Sequence, residues 1–268
     1  MALDAATAAP SVAIGVDVGG SGIKVGVVDV EKGVLIAPRL RVLTPSPSTP
    51  LDVVRAISRT VGRAVKAAGG VPAGTPVGVG VPSVVIAGVT KSAANIDQSW
   101  IDFDAGRAIA AALKRPVTVL NDADAAGLAE MRFGAGVGEP GVVFVLTLGT
   151  GLGSGMFNDG VLVPNTELGH MEIRGRDAER RSAAVARTRR GLSWKAWATD
   201  LDEHLAAIDK LFSPNLIILG GGVSKQPDKF IPRLTVRPRV VPAKLRNDAG
   251  IVGAAMAANE RRPPAPGT

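Results

Sequence analysis

Three short stretches carry the side chains best suited to chemistry. In "VTVLNDADAAGLAE" (117–130) a β-branched run ends at Leu120 and an alanine-rich helical stretch begins almost at once, so Asp122 stands at the carboxyl end of a strand. Open α/β sheets bind ligands in the crevice at that end. Two roles fit: Asn121 or Asp122 caps the helix, or Asp122 takes a proton from a bound group. Asp124, two residues on, is a competing carboxylate. In "NTELGHMEIRG" (165–175) Glu167 and His170 are three residues apart, and Gly169 argues for a loop. The pattern is not H-E-x-x-H and no third ligand is evident, which speaks against zinc hydrolysis. Such a pair suits adjacent sugar hydroxyls, because carboxylate accepts while imidazole does either. The plain alternative is a histidine satisfied within its own loop.

Glycine-rich turns flank these groups. "IGVDVGGSGIKVGVVDV" (14–30) puts Gly19, Gly20 and Ser21 at the tip of a strand–turn–strand hairpin, with Lys24 close by. The β-branched residues Val25, Val27, Val28 and Val30 make a strand where Walker and dinucleotide loops would start a helix. "VVFVLTLGTGLGSGMFNDGVL" (142–162) repeats the plan, down to an Asn-Asp-Gly turn. A third cluster, "LIILGGGVS" (216–224), ends a strand where a ligand could approach the backbone. Turns use glycine anyway, so no single cluster decides the matter. Taken together, two tips facing one another, a carboxylate at a crevice and a hydroxyl-binding loop describe phosphoryl transfer to a sugar. That chemistry needs positioning and charge neutralisation more than covalent help.

The elements that must hold these groups alternate in type, the mark of an α/β fold. Strands are expected at 12–18, 24–30, 76–81, 117–120, 142–148 and 216–219. Helices are expected at 51–68, 104–114, 122–132, 194–212 and 250–260. In the first helix Leu51, Val54, Ile57, Val61 and Val65 recur every three or four residues. His204, in "LDEHLAAI", reads as part of an ordinary helix face.

Composition narrows the setting. The chain has 268 residues, 46% of them apolar, enough for one large or two small domains. It has no cysteine, so disulfides and thiolate metal sites are ruled out and a reducing cytoplasm fits. The start, "MALDAATAAPS", has neither the basic nor the apolar region of a signal peptide, and no apolar run approaches the roughly 20 residues of a membrane helix. Net charge is +7, which permits an anionic partner. Aromatics at 3%, with no tyrosine, leave few platforms for stacking bases, so nucleic acid is not expected.

The ordered set "DVGGSGIK", "LNDADAAGLAE", "LTLGTGLGSG", "ELGH" and "LGGGV", spread over residues 12 to 260, resembles the ROK sugar kinases of the hexokinase–actin superfamily, and among them the polyphosphate-using branch. The resemblance implies two ribonuclease H-like (actin/hexokinase-type) α/β domains with a cleft between them. The small N-terminal domain would span 12–121, completed by the C-terminal helix at about 250–260. The large domain would span 122–249, with 1–11 and 261–268 as flexible tails. It further implies that Asp17, Gly19, Gly20, Ser21 and Lys24 form one phosphate element, and Thr147, Gly149, Thr150 and Gly151 the other. Asp122 would be the general base for the sugar 6-hydroxyl, kept ionised near neutral pH by the amides of the helix start. Asn95, Asn121, Glu167, His170 and Glu179 would bind glucose or mannose, and Gly220, Gly221 and Gly222 would border adenosine. Inorganic polyphosphate or ATP would be the donor, with Mg²⁺ and without zinc, in a cytoplasmic monomer or homodimer.

The chain also departs from the broader family pattern. Where many members carry a cysteine-rich zinc loop after E-x-G-H, this one has "RGRDAERRSAAVARTRR", with seven arginines at 174, 176, 180, 181, 187, 189 and 190. Lys225 to Arg246 holds seven more Lys or Arg. These could line a polyphosphate track or merely solvate helix faces; bidentate phosphate contacts favour the track. The rival readings are a strictly ATP-dependent glucokinase and a non-catalytic sugar-binding or sugar-sensing protein. A regulator would need a DNA-binding segment ahead of the first strand, where about eleven residues stand.

Overall fold

The computed structural model describes residues 11–94 and 96–260, so Asn95 and the segments 1–10 and 261–268 lie outside the described residues. Strands β1 (Val12–Gly19) and β2 (Gly22–Asp29) form the first hairpin, followed by the short β3 (Val34–Leu35) and β4 (Leu40–Val42). Helix α1 (Pro50–Ala67) starts where the Thr49 hydroxyl accepts from the Asp52 amide and Pro50 needs no donor. It leads to β5 (Val77–Val81), three two-residue strands β6 (Val85–Ile86), β7 (Val89–Thr90) and β8 (Phe103–Asp104), helix α2 (Ala105–Leu113), and β9 (Val117–Asn121). Helix α3 (Asp122–Phe133) follows with no intervening loop.

The second half repeats the first. β10 (Val142–Leu148), β11 (Leu152–Asn158) and β12 (Val161–Val163) form a meander. Then come β13 (Glu172–Ile173), β14 (Arg176–Asp177), the short helices α4 (Glu179–Ser182) and α5 (Ala184–Arg189), and the long α6 (Trp194–Phe212). β15 (Leu216–Gly221), β16 (Arg239–Pro242) and α7 (Ala249–Glu260) complete the chain. The two main sheets share one strand order, β3-β2-β1-β5-β9 and β12-β11-β10-β15-β16. In each, an antiparallel hairpin is extended by two parallel strands. This duplicated plan is the ribonuclease H-like architecture that the family resemblance implies.

Helices α3 and α7 lie between the sheets. Close approach there depends on missing side chains: a Cβ on Gly15 or Gly78 would come within 1.9 or 1.7 Å of carbonyl oxygens of α7. Gly253 of α7 in turn lets the Ala125 carbonyl of α3 in, at 1.7 Å from where its Cβ would be. Separate apolar clusters fill the outer faces. One centres on Ile14, Ile57, Trp100 and Ile109, the other on Phe144, Trp197, Leu201 and Phe230. Two expectations need correction. Leu51 is 60% exposed, because α1 buries Pro50, Val53, Val54, Ile57 and Val61 and leaves Leu51 on the opposite face. Ser11, assigned to the tail, is tied down: its carbonyl accepts from the Val30 amide and its hydroxyl donates to Asn259. Among the described residues no helix is long and apolar enough to cross a membrane.

Candidate active site

The register of β9 and the start of α3 settle which residue caps and which is left for chemistry. Asn121 is the N-cap: its Oδ1 accepts from the amides of Ala123 and Asp124 at 2.8 and 3.1 Å. Its Nδ2 donates to the Ser83 carbonyl (3.2 Å) and to Glu167 Oε1 (3.4 Å). Asp122, the first helical residue, is thereby freed from capping and faces a cleft of about 280 Å³ between the two hairpin tips. Asp124 does not line this cleft. It is 1% exposed, and its Oδ2 accepts from the Asn165 amide at 2.8 Å.

Both tips open into the same cleft, through Asp17, Gly19, Gly20, Ser21 and Lys24 from the first hairpin and Thr147, Gly149, Thr150 and Gly151 from the second. Asp17 and Lys24 are cross-strand partners, with Nζ 2.7 Å from Oδ2. Outer bonds steady the first tip: Thr44 Oγ1 donates to the Gly19 carbonyl and Arg41 to that of Ser21. In the second tip the Gly149 amide is already bonded to the Gly151 carbonyl at 3.0 Å. Gly153 is required by crowding, since a Cβ there would lie 2.6 Å from Thr147 Oγ1 and 2.9 Å from the Ala123 Cβ.

Glu167, His170 and Glu179 complete the wall opposite the first tip. Glu179 Oε2 accepts from the Leu152 amide at 2.9 Å, linking this wall to the second tip. Glu167 Oε2 lies 3.8 Å from His170 Nε2. The Asn165 side chain pairs with both backbone groups of Val85, at 2.9 and 3.0 Å, and so joins this wall to the N-terminal half. Of the third glycine cluster only Gly221 lines the cleft; Gly220 stays within β15 and Gly222 begins a turn beyond it. Two lining residues, Arg246 and Asn247, were not singled out by sequence reasoning. Arg246 belonged to the second basic stretch, but nothing local marks the left-handed backbone (φ 52°) that sets it beside α7.

Electrostatics differ from the expectation that Asp122 is simply ionised. Burial, then the Asp17 carboxylate and to a lesser degree Glu167, push it up to about 7, against amides of the helix start that pull it down. The helix start is outweighed because the half-buried carboxylate stands at the cleft among like charges. Glu167 is raised as well, by burial and Glu179, with His170 opposing.

The arginine-rich segment is partly structural. Arg174 and Arg181 bind Glu203 of α6 at 2.6 and 2.7 Å, and Arg181 and Arg190 bind Asp200. Arg187 stacks over the Trp194 ring at 4.2 Å. Arg176, Arg180 and Arg189 are exposed and carry no carboxylate partner among the described residues.

This fold with paired glycine tips around a strand-end carboxylate matches one family. The sequence profile of the ROK family fits residues 13–186, and the chain belongs to that family. It is 49% identical to the polyphosphate glucokinase of Mycobacterium tuberculosis over 244 residues, covering 91% of this chain and 89% of the relative. The crystal structure of the inorganic polyphosphate/ATP-glucomannokinase of Arthrobacter sp. strain KM superposes with a TM-score of 0.92 at 50% identity, over 94% of this chain and 100% of that one. A ROK family glucokinase from Streptomyces griseus, solved with glucose and AMPPNP, superposes with a TM-score of 0.81 at 27% identity, over 93% and 99%.

Proposed function

We propose that this protein transfers the terminal phosphoryl group of inorganic polyphosphate or ATP to the 6-hydroxyl of glucose, with mannose as a second acceptor. The observation that carries the reading is the convergence of both glycine tips and Asp122 on one cleft. The polyphosphate donor is supported by near-50% identity to two polyphosphate-using kinases over almost the whole chain.

In this reading the sugar lies against Asn121, Glu167, His170 and Glu179. Asn121 sets the distance between base and wall, because one amide both caps α3 and reaches Glu167. Asp122 orients the 6-hydroxyl and accepts its proton late in transfer, as leaving-group charge grows on the donor. With its pKa pushed up to about 7, Asp122 is matched to take up a proton near neutral pH. The exposed tips at Gly20–Ser21 and Thr150–Gly151 grip the terminal phosphates, and Lys24 exchanges its bond to Asp17 for a phosphate oxygen. Among the described residues no three His, Cys, Asp or Glu cluster as a metal site. Mg²⁺ brought with the donor would neutralise its charge, and Asp17 and Asp122 are cleft carboxylates that would help hold it.

The domains would be 12–121 with the C-terminal helix, and 122–249, closing on the substrates to exclude water. Arg176, Arg180 and Arg189 are the arginines left to guide polyphosphate. A cytoplasmic location accords with a chain free of cysteine. The test is glucose 6-phosphate formation from purified long-chain polyphosphate in nucleotide-free buffer, where turnover comparable with that on ATP is expected. Activity on ATP alone would favour the second reading, a strictly ATP-dependent glucokinase. Gly221 at the cleft and the Streptomyces griseus relative with its bound AMPPNP support that alternative.

A further inference from the structure

His204 was expected on an ordinary helix face, yet it is 1% exposed inside the C-terminal half. Its Nε2 lies 3.0 Å from the Leu168 carbonyl and its Nδ1 2.8 Å from the Ser182 hydroxyl. Leu168 stands between Glu167 and His170, and Ser182 ends the single turn of α4 that begins with Glu179. One buried ring therefore touches both segments that bear the acidic and imidazole groups of the sugar wall.

The protonation pattern is forced. A carbonyl oxygen can only accept, so the proton of the neutral ring sits on Nε2 and donates to Leu168. Nδ1 is then an acceptor, and the Ser182 hydroxyl, also 3.0 Å from the Ala178 carbonyl, turns toward the ring. Burial holds His204 below the usual histidine range and keeps this neutral form. Trp197, about two turns earlier on α6, donates to the carbonyls of Ser182 and Ala183 at 3.2 Å and fixes the other side of α4. The Leu168 amide is separately bound to Ser154 Oγ at 3.1 Å, which leaves the carbonyl side of this residue to His204 and the Met171 amide.

We propose that His204 is a positioning residue for the acceptor sugar: it sets the spacing between the Glu167–His170 loop and Glu179 without touching substrate. This deepens the sugar-wall reading above and rests on it. A residue of this kind acts mainly on the sugar, because the ring does not contact the hairpin tips and reaches the second one only indirectly, as through the Glu179–Leu152 bond.

The experiment compares His204→Asn, His204→Gln, Ser182→Ala and Glu167→Gln, measuring KM for glucose, KM for ATP, kcat and Tm. His204→Asn keeps a polar atom toward Ser182 but loses the donor to Leu168, so glucose KM is expected to rise about tenfold, with ATP KM changing by less than about twofold and kcat within about threefold. His204→Gln restores a donor at the Nε2 position and should bring glucose KM back to within about threefold of wild type. Ser182→Ala, a milder change in case His204→Asn does not fold, should raise glucose KM about threefold. Glu167→Gln tests the underlying wall: a rise in glucose KM supports it, and no change removes it and the proposal together. If Glu167→Gln raises glucose KM while the His204 and Ser182 variants only lower Tm, or shift both KM values equally, the positioning role is refuted and the wall survives.

Discussion

The two hairpin tips share a topology and differ in chemistry. At the first, the cross-strand pair below the turn is Asp17 with Lys24, two charges 2.7 Å apart. At the second, the corresponding region holds Thr147 opposite Gly153, with no charge at all. The first tip therefore sets the field in the cleft, and Asp17 is the leading like charge on Asp122. The second tip sets shape: Gly153 lets Thr147 and the start of α3 pack where a methyl would not fit. A duplicated fold has kept the grip of both halves and divided the electrostatic and steric work between them.

Variants can break that division, and the largest effect belongs to the group both tips serve. Asp122→Asn should lower kcat at least about a hundredfold while glucose KM stays within about threefold. The same change should raise Tm at pH 8. In the folded state Asp122 holds a proton that the unfolded chain releases from the ordinary carboxylate range upward. Its contribution to stability therefore falls as pH rises from about 4 toward 7, and an amide escapes that loss.

Next comes the charged tip itself. Wild-type kcat/KM for glucose should rise with pH through about 7 as Asp122 ionises. Asp17→Asn removes a neighbouring negative charge, which eases ionisation and moves this limb to lower pH. It should also cost roughly tenfold or more in kcat, because Asp17 would no longer help hold the Mg²⁺ that neutralises the donor. An unmoved limb would mean that the first tip does not set the field. Gly153→Ala probes the steric tip: donor KM or kcat should worsen about tenfold with no shift of the pH limb, since overpacking of about 1–3 kcal/mol must be relieved. Gly62→Ala on α1, where an added methyl meets nothing within 4 Å and no part of the cleft is touched, is the control and should stay near wild type. The smallest effect expected is the salt response. Raising ionic strength from about 0.05 to 0.2 M should weaken the apparent affinity for polyphosphate a few-fold more than that for ATP, if exposed arginines guide the longer anion.

How much of this could be read from the chain depended on how local each feature was. Six of the seven strands of five residues or more, and the five long helices, were legible as elements of their own, because each carries its own periodicity; β11 entered only as the second arm of the repeated hairpin. The two-residue strands β6–β8, β13 and β14 were not, since a pair of residues has no pattern to detect. The Asn121–Asp122 pair stood out, but only the structure separated cap from free carboxylate, because either residue type caps a helix. Arg174, Arg181 and Arg190 looked free in sequence; their partners Asp200 and Glu203 lie on a helix that sequence alone could not place beside them. His204 was misread for the same reason. Its partners are 36 and 22 residues away.

The account's central claim is that both tips hold one phosphate chain while Asp122 addresses the sugar. The most direct measurement is a crystal structure of the protein with glucose and a non-hydrolysable ATP analogue. The account predicts the glucose 6-hydroxyl about 2.6–3.2 Å from an Asp122 carboxylate oxygen and the terminal phosphate in contact with residues of both tips. A 6-hydroxyl directed away from Asp122, or a phosphate held by one tip alone, would contradict it.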